Sequence, residues 1–265
     1  MGRMPSIAKW KAERFRRALF MKVLGIDIGG SALKGAPVDT KTGRLLAPRM
    51  RIATPKPLSP ADMAEAIAEV AARFKWRGPI GVGFPGVIEG STIWTSANLH
   101  PKFVGCDAAT LFGQATGCRV TMINDAAAAG VAEMRFGAGR RFLGKTLLLT
   151  LGTGVGSCLA YQGVVVPMEL GHFPWKHGKS AEKFVAASVR AEKDLSWEEW
   201  GERLSHYIAV LEELLWPELI IIGGGVSAKH AKFFKYLKAR ARVVPAGFLN
   251  EAGISGAAMA AVPLK

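Results

Sequence analysis

An asparagine and an aspartate, Asn124 and Asp125, stand side by side after the apolar run 120–123 and before an alanine-rich stretch, 126–134. One such residue is explained by helix capping, since Asn and Asp are favoured N-caps. Two in succession exceed what a cap needs. At the carboxyl end of a strand they would project where α/β sheets bind ligands, and a carboxylate there can accept a hydroxyl proton during phosphoryl transfer.

Two glycine-rich segments supply the chemistry such a base would serve. The first runs Asp27-Ile28-Gly29-Gly30-Ser31-Ala32-Leu33-Lys34, the second Leu149-Thr150-Leu151-Gly152-Thr153-Gly154-Val155-Gly156. Glycines let a backbone approach an anion and aim amide N–H groups at it. Asp27 could hold Mg2+ through water, Lys34 could reach a phosphate, and Thr150 and Thr153 add hydroxyls. A hairpin turn needs glycine in any case, so each segment alone is a weak signal. Each closes the first strand of one half of the chain. As a facing pair they could clamp one phosphate chain from both sides.

Three further groups are candidates. Glu169 and His172 stand three apart in Glu-Leu-Gly-His. One helical turn or a tight loop would present both to vicinal hydroxyls. A surface Glu with a core His, or a metal-ligand pair, are the alternatives. Asn98 follows Gly83-Phe84-Pro85-Gly86 and suits sugar hydroxyls, though it also reads as a plain loop residue. Gly223, Gly224 and Gly225 form a triple glycine after an apolar strand, flat enough for an adenine or ribose and preceding a helix start that favours phosphate.

Positioning these residues takes two α/β units. Strands are expected over 22–28, 32–38, 44–53, 80–84 and 119–123, with a turn at 40–43 and a helix over 60–75. The second half begins alike, with strands over 145–151 and 155–161. An amphipathic helix over 197–215, a strand over 218–222, a helix from about 227 and a last helix over 252–261 follow. Both halves open strand, glycine turn, strand, which suggests two domains facing a central cleft. The expected boundaries are 21–124 for an N-terminal α/β domain, joined by the C-terminal helix 251–265, and 125–250 for the other. Residues 1–20 read as a separate basic extension, disordered or preceding a true start at Met21. Arg3, Lys9, Lys11, Arg14, Arg16 and Arg17 there face only Glu13, and no signal-peptide pattern is present.

Composition agrees with a folded chain of this size. Of 265 residues 49% are hydrophobic, enough for two modest cores. No apolar run reaches the length of a membrane span. Three scattered cysteines, Cys106, Cys118 and Cys158, argue against a disulfide framework or a cysteine zinc site and fit a cytoplasmic compartment. The net charge of +14 suggests a basic surface or a polyanionic partner.

From Lys22 to Ala261 the chain resembles the ROK family of sugar kinases, within the actin-like ATPase (ribonuclease H-like) fold. DIGGSALK and LTLGTGVGS match its phosphate motifs, IIIGGGVS its adenosine segment, Asn124-Asp125-Ala126 its catalytic NDA, and Glu169, Gly171 and His172 its sugar-binding E-x-G-H. The resemblance implies Asp125 as general base and Asn98, Asn124, Asp125, Glu169 and His172 on the sugar. GIDIGGSALKGAPVD, VPMELGH and the residues 173–179, which carry no cysteine zinc motif, are similar to the polyphosphate glucokinase branch, including glucomannokinases. That branch implies phosphoryl transfer from polyphosphate, and ATP, to the 6-hydroxyl of glucose or mannose, with Mg2+, without structural zinc, in a homodimer. Two departures stand out: Ala127 where the branch has a second Asp, and a short loop at Pro167-Met168.

The resemblance also lends the charge a meaning. Lys176, Lys179 and Lys183 follow the sugar element, and Lys229, Lys232, Lys235 and Lys238 recur at three-residue steps. On one helix these last four would form a slanting stripe able to track polyphosphate. A solvated helix face is the alternative. An ATP-only kinase shares every motif but this track. A sugar-responsive regulator would carry an N-terminal DNA-binding domain, for which twenty residues are too few. No membrane partner and no specific nucleic acid are expected.

Overall fold

Gly25 and Gly81 are register neighbours on two parallel strands, and their missing side chains explain how the C-terminal helix reaches the first sheet. A Cβ at Gly25 would lie 2.0 Å from the carbonyl oxygen of Ile254, and one at Gly81 1.7 Å from that of Ala257. Only glycine allows backbone to pack on backbone this closely.

The structure is a computed structural model that describes residues 22–30, 32–53, 58–96, 99–248 and 251–262. The reading of residues 1–20 lies outside them. In chain order the elements are β1 (Lys22–Ile28), β2 (Ala32–Asp39), β3 (Met50–Ala53), α1 (Pro60–Arg73), β4 (Ile80–Phe84), β5 (Ile88–Glu89), β6 (Thr92–Ile93), α2 (Ala108–Thr116) and β7 (Val120–Asn124). Then follow α3 (Asp125–Phe136), β8 (Thr146–Leu151), β9 (Val155–Tyr161), β10 (Val164–Met168), α4 (Glu182–Val185), α5 (Ala187–Glu192), α6 (Trp197–Leu215), β11 (Leu219–Gly223), β12 (Arg242–Pro245) and α7 (Ala252–Ala260).

The chain divides into two compact units, one containing the residues up to Asn124 and those from Ile254 onward, the other Asp125–Gly253. The first holds a five-stranded sheet in the order β3-β2-β1-β4-β7. β1, β2 and β3 pair antiparallel, β1, β4 and β7 parallel. Leu24, Ile26, Ile67, Val82, Phe84 and Phe112 are fully buried in its core. α1 starts at a capping box in which Ser59 and Asp62 exchange hydrogen bonds. α7 closes a second cluster, burying Ile254, Ala258 and Ala261 against Val23, Ala36 and Val38. Ser255 Oγ donates to the Gly43 carbonyl at 2.7 Å, and Arg119 donates to that of Ala261 at 3.1 Å.

The second unit repeats the plan. Its sheet runs β10-β9-β8-β11-β12, with β10, β9 and β8 antiparallel and β8, β11 and β12 parallel. α6 begins at a capping box between Ser196 and Glu199 and buries Trp200, Leu204, Tyr207, Ile208 and Leu211. Trp200 Nε1 donates to the carbonyls of Val185 and Ala186. Glu133 on α3 is fully buried. Its carboxylate accepts the amides of Ala138, Gly247 and Phe248 at 2.7–3.0 Å, so its charge is met by backbone donors.

Three expectations are corrected. Residues 44–49 are not strand: Leu45 makes only an isolated bridge to Val38, and the third strand is confined to Met50–Ala53. Pro167-Met168, read as a loop, lies on the edge strand β10, where a proline's missing N–H costs no ladder bond. The residues after the triple glycine form no α-helix. Two 3-10 segments, Gly225–Lys232 and Phe234–Tyr236, stand there, with Lys229 off helical geometry. Burial of Phe233, stacked on Trp197 and edge-on to Trp200, outweighs the local helical pattern.

Candidate functional site

In the first unit the candidates gather at the carboxyl ends of β1 and β7. The β1–β2 hairpin sets Asp27 opposite Lys34, and the Gly29 amide donates to the Ala32 carbonyl at 3.0 Å. Lys34 Nζ lies 3.7 Å from Asp27 Oδ2. Burial raises the Asp27 carboxyl above its ordinary range, and Lys34 partly offsets this. A Cβ at Gly30 would meet nothing within 4 Å, so packing does not demand glycine there. Asn124 ends β7 and is nearly buried, and its Nδ2 donates to the Gly86 carbonyl at 3.1 Å. Ser31 and Asn98 lie outside the described residues.

In the second unit one short strip joins three candidates. Gly154-Val155-Gly156 leads out of the second glycine turn into β9. A Cβ at Gly156 would lie 2.8 Å from Cβ of Ala126, the neighbour of Asp125, and 2.5 Å from Oγ1 of Thr150. A Cβ at Gly171, between Glu169 and His172, would lie 2.3 Å from the Val155 carbonyl. The start of α3, the second glycine turn and the Glu169–His172 element are therefore in contact. Asp125 opens α3, and its Oδ1 accepts the Ala126 amide at 2.7 Å.

Glu169 precedes a 3-10 turn over Leu170–His172, and its Oε2 lies 3.5 Å from His172 Nδ1. Desolvation raises its carboxyl, His172 lowers it, and Glu182 raises it again. With 38% of the side chain exposed, solvent screens these effects. The turn's floor is held from below: Ser157 Oγ donates to the Met168 carbonyl and accepts the Leu170 amide.

The second glycine turn is braced by residues that sequence reasoning missed. Ser188 on α5 donates its amide to the Gly152 carbonyl at 3.0 Å and its hydroxyl to that of Thr153 at 2.9 Å. Glu182 lies against Gly154, its Oε2 2.6 Å from where a Cβ would stand. A serine amid a charged, helix-forming stretch carries no local signal for this. Gly152, like Gly30, has nothing within 4 Å of a built Cβ.

The triple glycine packs against the same turn, since Gly223 pairs with Thr150. Gly224 is needed for the fold: its φ is +81°, and a Cβ would lie 2.3 Å from the Leu151 carbonyl. Gly225 faces open space. The lysines do not share one helix. Lys176 lies in the 3-10 turn Lys176–Gly178 with Lys179 just after it, and Lys183 lies on α4 beside Glu182 at 3.4 Å. Lys229, Lys232 and Lys235 sit on the two 3-10 segments, with Lys238 beyond them. No Asp or Glu occurs between Glu218 and Glu251.

Among the described residues no three His, Cys, Asp or Glu side chains form a metal-ligand set. Mg2+ does not require one. It keeps most of its waters and binds through one or two carboxylates and substrate phosphates, and the part-buried Asp27 fits that donor set. Among the described residues no helix is long and apolar enough to cross a membrane.

Comparison with known proteins bears on the whole arrangement. A family model described as "ROK family" matches residues 23–182. The chain is 43% identical over 240 residues to a polyphosphate glucokinase of Mycobacterium tuberculosis, covering 90% of each chain. It is 40% identical to that of Mycobacterium leprae over 238 residues, 89% of this chain and 73% of that one. An inorganic polyphosphate/ATP-glucomannokinase from Arthrobacter sp. strain KM superposes with a TM-score of 0.86 at 42% identity, over 90% of this chain and 97% of that one. A ROK family glucokinase from Streptomyces griseus, at 23% identity, shares the fold with a TM-score of 0.78 over 91% and 99%. Two sheets of identical order, each opening on a glycine-turned hairpin, are the doubled plan of the actin-like ATPase fold, and the chain belongs to the ROK family of that fold.

Proposed function

We propose that this protein transfers a phosphoryl group from inorganic polyphosphate, with ATP as a second donor, to the 6-hydroxyl of glucose, with mannose as a second acceptor. The observation that carries this reading is the Gly154–Gly156 strip, which touches both the residue after Asp125 and the glycine between Glu169 and His172. A base, a phosphate cradle and a pair of hydroxyl-binding side chains are what hexose phosphorylation needs side by side. The 43% identity to polyphosphate glucokinases supports the donor and the sugar.

In this reading Asn98, Asn124, Glu169 and His172 hold the sugar hydroxyls. Asp125 orients the 6-hydroxyl and accepts its proton as the oxygen attacks phosphorus. Thr150, Gly152, Thr153 and Gly154 take the terminal phosphates in the second unit, and Gly29, Gly30, Ser31 and Lys34 in the first. Gly223, Gly224 and Gly225 serve the nucleotide when ATP is the donor. Mg2+, held by Asp27 through water, would neutralise charge on the transferring phosphate. Excluding water from the reacting atoms limits hydrolysis of the donor. The enzyme would work in the cytoplasm as a homodimer.

The acid-free stretch 219–250, with Lys229, Lys232 and Lys235, supports a polyanion-binding face, as do Lys176, Lys179 and Lys183. The missing helical stripe favours the second reading, an ATP-only sugar kinase, because the lysines then lack a common axis. A coupled assay of glucose 6-phosphate formation decides. Turnover with polyphosphate at least equal to that with ATP is expected, and turnover with ATP alone would leave the second reading. No product with either donor would remove the proposed function.

A further inference from the structure

A cavity of about 570 Å³ opens in the second unit, among α4, α6 and the turn after His172. None of its lining residues takes part in the reaction described above, except that Lys176 was a polyanion candidate. Trp175 and Phe184 give it an aromatic wall, and Lys176, Lys193 and Arg203 bring three cations. Glu199 and Glu202 stand on the α6 side. Among the described residues none of the three cations is held in an ion pair, although two carboxylates line the same space. Glu199 is already committed, accepting the Ser196 amide at 2.8 Å.

The mixture narrows the ligand. A bare anion has no use for an indole wall or for carboxylates. A neutral sugar has no use for three cations. A sugar carrying one phosphate uses all three: its ring lies on Trp175, its hydroxyls donate to Glu202, and its phosphate meets the planar fork of Arg203 with Lys193 and Lys176. The volume lies within the range of small-molecule sites.

The walls of this cavity also lead to the reaction site. Phe184 and Val185 belong to α4, whose Glu182 lies against Gly154. The next helix supplies Ser188, which holds Gly152 and Thr153. On the other side Trp175 follows the Glu169–His172 turn. It packs edge-on to Phe173, His206 and Tyr207, and the Phe173 amide donates to Leu170 at 3.1 Å. A ligand in the cavity would touch the supports of both the phosphate turn and the sugar element.

We propose that this cavity is an effector site for a hexose monophosphate, the class of molecule the enzyme makes, and that its occupancy shifts the Gly152–Gly154 turn and the Glu169–His172 element together. The choice of a sugar phosphate rests on the proposed function. The reciprocity of coupled binding requires that such a ligand change affinity for the sugar or the donor.

The test compares the full chain with Lys193→Gln/Arg203→Gln, by calorimetric titration of glucose 6-phosphate, glucose and inorganic phosphate, alongside turnover. Two glucose 6-phosphate sites per chain are expected in the parent and one in the double variant. At saturating glucose, added glucose 6-phosphate should raise the parent's KM for the donor, and the variant should need at least tenfold more for the same effect. Its kcat without added product should stay within twofold. One site in both proteins, or identical inhibition, overturns the proposal. Inorganic phosphate binding the second site as tightly as the sugar phosphate overturns its sugar selectivity. Should the double variant not fold, Glu202→Gln, an exposed cavity residue outside the reaction site, should weaken the second site in the same titration and leave basal turnover within twofold. A chain that binds two sugar phosphates yet does not phosphorylate glucose would keep this site and remove the proposed function. Normal turnover with one site would do the reverse.

Discussion

Two glycines separate a functional cradle from ordinary turn chemistry. At Gly30 and Gly152 an added Cβ meets no atom within 4 Å, and neither residue has the positive φ that strains an L side chain. For the fold alone, Gly30→Ala and Gly152→Ala should be harmless. By restricting the unfolded chain they should add about 0.4–1 kcal/mol of stability. If donor phosphate approaches these backbones, the methyl group stands in its path and displaces it from the amides. Losing one charge-assisted hydrogen bond costs about 1.5–3 kcal/mol, or roughly 10–150-fold in kcat/KM for the donor. Gly224→Ala is the contrast. Its Cβ would stand 2.3 Å from the Leu151 carbonyl at a φ of +81°, so stability should fall. The assays are urea unfolding and steady-state kinetics with donor varied at saturating glucose. Gly152→Ala that is more stable and kinetically unchanged would refute the cradle.

Two other expectations follow from single groups. Burial raises the Glu169 carboxyl above its ordinary 4.5. Sugar hydroxyls need the ionised form as acceptor, so KM for glucose should be lowest above that raised pKa and climb as pH falls through it. Glu169→Gln should bind glucose more weakly and lose this pH dependence, as a KM–pH profile would record. Gly81→Ala places a Cβ 1.7 Å from the Ala257 carbonyl, which α7 must move to relieve. A loss of at least about 1–3 kcal/mol is expected, read by denaturant midpoint, and Gly25→Ala should behave alike.

Much of the plan was legible because it is locally encoded. Trp197–Leu215 is readable from apolar spacing and from Ser196 and Glu199 three residues apart. The first strand of each hairpin runs into glycine and the strands alternate or run apolar, so β1, β2, β8 and β9 follow directly. The stretch after Gly225 is where local reading fails. Alanines and lysines there look helical, yet Ser227 Oγ returns to the Gly224 carbonyl at 2.8 Å and Phe233 is drawn into the core. That competition is tertiary and leaves no mark in spacing. Among site residues, Asp125, Glu169 and His172 stand out by type and neighbourhood. Ser188 and Glu182 do not, because they act on the glycine turn through contacts between elements distant in sequence. The close approach of Gly25 and Gly81 to α7 is hidden for the same reason.

The base is the centre of the account, and Asp125→Ala tests it most directly. Glucose binding by titration calorimetry should stay within a few-fold of the parent, because Glu169 and His172 still hold the sugar. Turnover with polyphosphate should drop by about 10²–10⁴-fold, the usual contribution of a positioned general base. An Asp125→Ala enzyme that binds glucose and turns over at the parent's rate would contradict the assignment.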